Sequence, residues 1–173
     1  MKPGRGAPRA GARIAGPALL LATALAARAE PAAPPLQNWF NDPFFPVSAA
    51  IPDCPEPAGP FTDAADRRLQ AHRRAEKGTT CWLAGECERP NAYAYDADIA
   101  AAIKAALAGN NHPFAASSSL WVTVQGRVVY IEGCIRAPTT AAALEHFVRA
   151  LPHVQQATAI VREGAGAVPY RRR

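Results

Sequence analysis

Four cysteines, Cys54, Cys81, Cys87 and Cys134, and four histidines, His72, His112, His146 and His153, carry most of the chain's capacity for site chemistry. Such side chains can ligate metal, exchange redox equivalents or crosslink the chain. Zinc sites favour Cys or His pairs two to four residues apart converging with further ligands, and these histidines are scattered. No redox Cys-x-x-Cys, nucleophile elbow, phosphate loop or metal-binding helix motif occurs. An even cysteine count outside the cytosol points to disulfides. Four cysteines allow three pairings. The short loop Cys81-Trp-Leu-Ala-Gly-Glu-Cys87, with Gly85 able to turn the chain, favours the local bridge and leaves Cys54 for Cys134.

The acidic residues offer no better case for catalysis. Asp96 and Asp98 both fall in the first turn of a predicted helix, where unpaired backbone N–H groups stabilise carboxylates. That placement is structural. His146, beside Phe147, reads as a surface or boundary residue. With no catalytic constellation and no cofactor pattern, the expectation is a protein that is not an enzyme and holds neither cofactor nor metal.

The compartment follows from the first residues. A basic start containing Lys2, Arg5, Arg9 and Arg13 precedes the uncharged run Ile14 to Ala27 and the small-residue site Ala27-Arg28-Ala29. This pattern is that of a secretory signal over 1–29, cleaved before Glu30. The run has 14 residues, short of the roughly 20 needed to cross a bilayer core as a helix. The mature chain is therefore expected in the periplasm without a transmembrane span. The signal also accounts for the net charge of +5, because Lys2, Arg5, Arg9, Arg13 and Arg28 are unaccompanied by acids and the remainder has 14 residues of each sign. A nucleic-acid partner is not indicated.

Residues 30–60 form a Pro-rich aromatic segment, with nine prolines in 31 residues and Trp39, Phe40, Phe44 and Phe45 clustered together. Proline at this density excludes regular helix and central strand. The four aromatics predict docking, on this chain's own domain or on an envelope partner. Residues 61–94 comprise a helix over Thr62 to Lys77, capped by Thr62 or Asp63, and a Cys-rich loop over Thr79 to Ala94. Ala65, Leu69 and His72 give that helix a thin apolar face, so a solvated helix is expected.

Over 95–163 the patterns strengthen. Asp96 is expected to cap a helix whose apolar face is Ile99, Ile103, Ala106 and Leu107, ending at Gly109. Leu120 to Val124 and Val128 to Ile135 alternate around Gln125-Gly126-Arg127, a hairpin signal. With a glycine-first turn at Gly126-Arg127, Val124 faces Val129; with Gln125-Gly126 at the centre, the pairing slips by two. Either register puts Leu120, Val122, Val124, Val129, Ile131 and Ile135 on one face, and Trp121, Thr123, Tyr130, Glu132 and Cys134 on the other. A second helix follows, capped by Thr139 or Thr140, burying Leu144, Phe147, Val148 and Leu151 and stopping at Pro152; Val154 to Val161 is a third strand. A crossover through this helix puts both helices on the same sheet face.

This order, with the acidic helix start, the Val-x-Val strand, the glycine turn and Val129-Tyr-Ile-Glu-Gly133-Cys-Ile135, resembles the BON domain, a small module of bacterial envelope and osmotic-stress proteins. The likeness covers residues 95–163. It departs from the family pattern in the six residues between Gly126 and Gly133, in His153 where glycine often stands, and in Ala157 for a common valine. The resemblance implies an α+β fold: a small αββαβ sandwich with a three-stranded mixed sheet and two helices on one face, here preceded by a Pro-rich, disulfide-stapled extension. It also implies a non-enzymatic envelope role, described for the family as phospholipid binding or membrane association.

A sheet with helices on one side leaves the other side bare, and a Cys54–Cys134 bridge would draw the extension across it. The expected partner is envelope phospholipid or another periplasmic protein. For the lipid surface, Trp82, Tyr93, Tyr95 and Trp121 are candidate contact residues. Arg171, Arg172 and Arg173, in a flexible basic tail over 164–173, would supply the attraction to anionic lipid.

Overall fold

The structure is a computed structural model that describes residues 35–108 and 111–173. The export signal over 1–29, its cleavage before Glu30, the first residues of the Pro-rich segment and the helix stop expected at Gly109 lie outside the described residues. In chain order the elements are β1 (Phe44–Ala49), α1 (Ala64–Glu76), α2 (Thr79–Leu83), α3 (Asp96–Ala106), β2 (Ser118–Gln125), β3 (Val128–Ile135), α4 (Ala141–Arg149) and β4 (Gln156–Glu163).

The β2–β3 hairpin pairs Val124 with Val129 and Val122 with Ile131, which centres the turn on Gly126-Arg127. Gly126 and Arg127 both have positive φ, 61° and 66°. The register is one of the two that the sequence allows, and the turn is of the doubly left-handed kind and not glycine-first. Asp96 holds it there: its Oδ2 accepts a hydrogen bond from Gly126 N (2.6 Å) and its Oδ1 one from Arg127 N (2.8 Å). This corrects the capping role expected for Asp96. The helix enters instead through a 3-10 turn at Ala92–Tyr95, capped by Asn91, and the Asp96 carboxylate is free to cross to the hairpin.

The inner face of the hairpin is the floor of the core. Leu120, Val122, Val124, Val129, Ile131 and Ile135 are each at most 1% exposed, a burial worth about 1.5–3 kcal/mol per side chain. Onto them pack Ile99, Ala100, Ile103 and Leu107 from α3 and its end, and Leu144 and Val148 from α4, with Phe147 and Leu151 at the margin. Ala100 takes the place expected of Ala106. The Thr140 side chain caps α4 through Ala143 N (3.2 Å). Parallel pairing of β3 with β4 then brings the crossover helix onto the face already occupied by α3. β4 begins two residues later than the apolar run suggests, because His153 makes a left-handed turn (φ 66°) where its carbonyl accepts from Arg127 Nε (2.8 Å).

The sheet has four strands, in the order β1-β2-β3-β4, not three. The added strand comes from the Pro-rich segment and pairs antiparallel with β2, with an irregularity between Pro46 and Ser48. An edge position needs hydrogen bonds on one side only, so a strand containing Pro46 is tolerated there. Phe45, opposite Val122, enters the core, while Phe44, opposite Thr123, lies on the outer face against Phe61. Further corrections concern 79–94, which includes the short helix α2 as well as loop.

α1 is capped by Asp63, whose carboxylate accepts from Ala65 N and Asp66 N. None of its residues is buried, and Leu69 is 77% exposed. What anchors it is Arg74, whose side chain is 10% exposed and pairs through both Nη atoms with the buried Asp42 carboxylate. The guanidinium stacks between Phe40 (4.0 Å) and Tyr93 (4.3 Å), and Gln125 Nε2 donates to the same carboxylate (2.6 Å).

Two outcomes follow. Gly133 has φ 148°, and a Cβ there would lie 2.1 Å from the Ser119 carbonyl oxygen. Gly133→Ala is expected to lower unfolding free energy by about 3 kcal/mol, measured by denaturant unfolding; a loss under about 1 kcal/mol would contradict this packing. Burial lifts the Asp96 carboxyl above its ordinary value, against the opposing pull of its two backbone hydrogen bonds. The folded chain therefore holds this proton more tightly than the unfolded chain. The contribution of Asp96 is full below the unfolded value and is lost as pH rises through the folded one. The stability gap between the parent and Asp96→Asn should accordingly shrink as pH rises from the ordinary carboxylate range through the raised folded value; a gap that widens would reverse the assignment.

Candidate functional site

The outer face of the sheet carries Trp121, Thr123, Tyr130, Glu132 and Cys134 from the hairpin and, by the parallel register that sets Arg162 beside Cys134, Arg162 from β4. Cys54 is bridged to Cys134 with a Cα–Cα distance of 5.9 Å, and Cys81 to Cys87 at 5.4 Å. Both pairs are the ones the spacing favours. All four thiols are consumed, which removes the zinc alternative for the cysteines.

The first bridge brings residues 54–60 over the outer face. Pro57, Ala58 and Pro60 are buried, and Thr123 and Cys134 beneath are nearly inaccessible. The expected cover is thus present, although its first part, β1, extends the sheet sideways. Trp39 donates through Nε1 to the Thr62 carbonyl (2.7 Å), Phe40 stacks on Arg74, and Phe44 and Phe45 pack as described. The Trp39 to Phe45 patch therefore docks on its own domain, and the envelope-partner alternative for it is set aside.

The tail is the second part of the cover. Tyr170 is 9% exposed, its hydroxyl donates to the Pro55 carbonyl (2.7 Å) and lies 3.6 Å from Cys54 Sγ. Ala58 N donates to the Arg171 carbonyl (2.7 Å) and Arg173 N to the Glu56 carbonyl (3.2 Å), so the tail backbone runs antiparallel to 56–58. The flexible tail expected over 164–173 is in fact held over its last four residues, because the disulfide fixes a strip of backbone for it to pair with. Arg171, Arg172 and Arg173 remain exposed on this support. Burial pushes the Glu132 carboxyl up, and Arg171 opposes that shift. Burial likewise pushes up the Tyr170 phenol, with Arg162 pulling the other way.

The aromatic candidates divide. Trp82 and Leu83, in the turn closed by Cys81–Cys87, are 45% and 83% exposed. Tyr95 is 4% exposed, and its hydroxyl accepts from Glu88 N and Arg89 N (3.1 Å each), pinning the stapled segment to the domain. Tyr93 is half-buried beside Arg74 and Lys77. Tyr95 is thereby buried, because the exit of the stapled loop is also the entry of α3, while Tyr93 keeps part of its surface in a cleft with Arg73 and Gln70. Trp121 is half-buried on the outer face, opposite Pro46 and Glu132. Asp98 pairs with Arg89. His146 is exposed on α4.

Sequence reasoning missed Arg162 as a site residue. It lines one open cleft of about 1220 Å³ with Arg171, Arg172, Arg173, Glu56 and Tyr170. The parity of the closing strand could have placed it on the Cys134 face. Among the described residues no His, Cys, Asp and Glu side chains gather as a metal site, and no helix is long and apolar enough to cross a membrane. No protein-family model, curated protein or solved structure matches the chain.

The two bridges should differ in weight, since they close loops with sequence separations of 80 and 6. By loop entropy, Cys54→Ser/Cys134→Ser is expected to lower stability by about 4 kcal/mol and Cys81→Ser/Cys87→Ser by about 2 kcal/mol. Hydrogen exchange at the Ala58 and Arg173 amides should speed up in the first variant alone. Equal exchange in both variants would show that the tail does not rest on the long-range bridge.

Proposed function

We propose that this is an exported, non-enzymatic, BON-like protein of the bacterial envelope that associates peripherally with anionic phospholipid surfaces in the periplasm. The finer fold reading is an αββαβ sandwich over 95–163 on which the extension is stapled. Its support is the element order α3-β2-β3-α4-β4, with both helices on one sheet face. The observation that carries the functional reading is the exposure of Arg171, Arg172 and Arg173 on a tail whose backbone is pinned to 56–58. Ordered arginines lose less conformational freedom on contact than a loose tail would, so more of their attraction to headgroups appears as binding. Export fits the two disulfides, which persist in oxidising compartments.

A second reading, a periplasmic protein-interaction or scaffold module, now rests on Trp82 and Leu83, which the Cys81–Cys87 turn holds out to solvent.

The disulfide-bonded protein should cosediment with vesicles containing phosphatidylglycerol at low salt and be released as salt rises. Replacing Arg171, Arg172 and Arg173 together by Gln should weaken binding by up to about a hundredfold, at about 1 kcal/mol per arginine. Trp82→Ala should leave the salt dependence unchanged. Absence of binding at low salt rejects the lipid reading. Binding lost with Trp82 but insensitive to the arginines favours the protein-interaction one.

A further inference from the structure

The cleft beside the tail is more than a positive patch. Its walls come from two places that the sheet and the Cys54–Cys134 bridge bring together: Arg162 at the end of β4, and the Arg171 to Arg173 strip paired with 56–58. Four arginines and one acidic residue, Glu56, line it, with Glu132 close enough to Arg171 to feel its charge. Of the four, only Arg173 has a carboxylate within ion-pair distance among the described residues (Glu56, 3.3 Å), and its guanidinium also stacks on the Phe61 ring at 4.6 Å. Arg162 donates from Nη1 to the Gly166 carbonyl (3.1 Å), while its Nε is buried with no hydrogen-bond partner among the described residues. A buried donor without an acceptor is a standing cost. Guanidiniums match a phosphoryl group in particular, because the planar fork donates two parallel hydrogen bonds to adjacent oxygens and keeps its charge at any physiological pH.

We propose that this cleft is a discrete binding site for a phosphoryl oxyanion, with Arg162 and Arg172 as its principal ligands and Arg171 and Arg173 as its rim. The inference rests on the lipid-surface reading, in that the phosphoryl group is assigned to a phospholipid headgroup. The site needs the disulfide, since one of its walls is the strip of backbone that Cys54 tethers to the sheet.

The test titrates the disulfide-bonded protein, by calorimetry and by NMR of arginine Nε–H signals, with inorganic phosphate, with glycerol 3-phosphate and with vesicles of phosphatidylglycerol in phosphatidylcholine. Saturable binding that perturbs the Arg162 and Arg172 signals is expected for all three probes. Arg162→Gln and Arg172→Gln should each weaken it about tenfold, whereas Arg149→Gln, at an exposed position of α4 away from the cleft, should not. The exposed Arg172 variant keeps the test informative if Arg162→Gln disturbs the fold. Soluble phosphates that bind in an Arg162-dependent manner, without vesicle binding, uphold the site and overturn its lipid source. Vesicle binding that Arg162→Gln leaves intact, while joint replacement of Arg171, Arg172 and Arg173 still weakens it, overturns the site and keeps the surface reading. Equal losses in Arg149→Gln overturn the site by reducing it to overall charge.

Discussion

The bond between Cys54 and Cys134 is the constraint around which the outer half of this molecule is organised. The inner half has a conventional apolar core between the sheet and two helices. Among the described residues the outer half is covered by the extension, the tail and the end of α1, segments rich in proline and arginine. A crosslink spanning 80 residues limits the freedom of the unfolded chain more than any few of these contacts could repay. Once Cys54 is fixed against β3, residues 56–58 become a ready strip of backbone, and the last residues of the chain pair with it. Tyr170 closes the arrangement from the other end by donating to Pro55.

The same economy of apolar surface appears at α1. A helix without a buried residue has no hydrophobic reason to stay where it is. It is held by one guanidinium that enters between two aromatic rings and meets a carboxylate in a nearly dry setting. A buried pair of this kind adds little when compared with apolar packing, yet removing one partner strands the other charge at a cost of about 3–5 kcal/mol. Its value lies in specificity. Asp42, Arg74 and Gln125 meet only if the extension, α1 and the hairpin adopt one mutual arrangement. Asp96 serves the hairpin turn in a similar way, with a single carboxylate fixing two left-handed residues. Charged groups therefore set geometry at the places where apolar side chains are scarce.

These two devices shape what the protein can present to a partner. Most aromatic residues that a linear reading would offer to a membrane or to another protein are consumed by internal packing: Phe44 and Phe45 on the sheet, Phe40 and Tyr93 around Arg74, and Tyr95 under the stapled turn. Among the described residues, what remains outward includes charge at the tail, the single side chains Leu36 and Leu69, and the adjacent pair Trp82 and Leu83. The tail arginines are ordered because the disulfide orders the strip beneath them, so the redox state of the compartment bears directly on the charged surface.

The sequence by itself determined the inner half. Alternation at Leu120 to Ile135 and helical spacing at Ile99, Ile103, Leu144 and Val148 decide which side chains leave water, because burial of periodic apolar residues depends on local pattern and little else. Spacing around Gly85 was also enough to favour the two cysteine pairs. Only the tertiary structure decided the role of everything polar or irregular. Pro46 looked like a strand breaker and sits on an edge, where a missing donor does no harm. Asp96 looked like a cap and instead holds a turn 30 residues away. Arg162 carried no local signal, and the basic tail looked free. Their partners are Cys134's face and the 56–58 strip, more than a hundred residues from the tail in sequence. A hydrogen bond or ion pair is made by whichever group the fold delivers, and a one-dimensional pattern holds no record of that delivery.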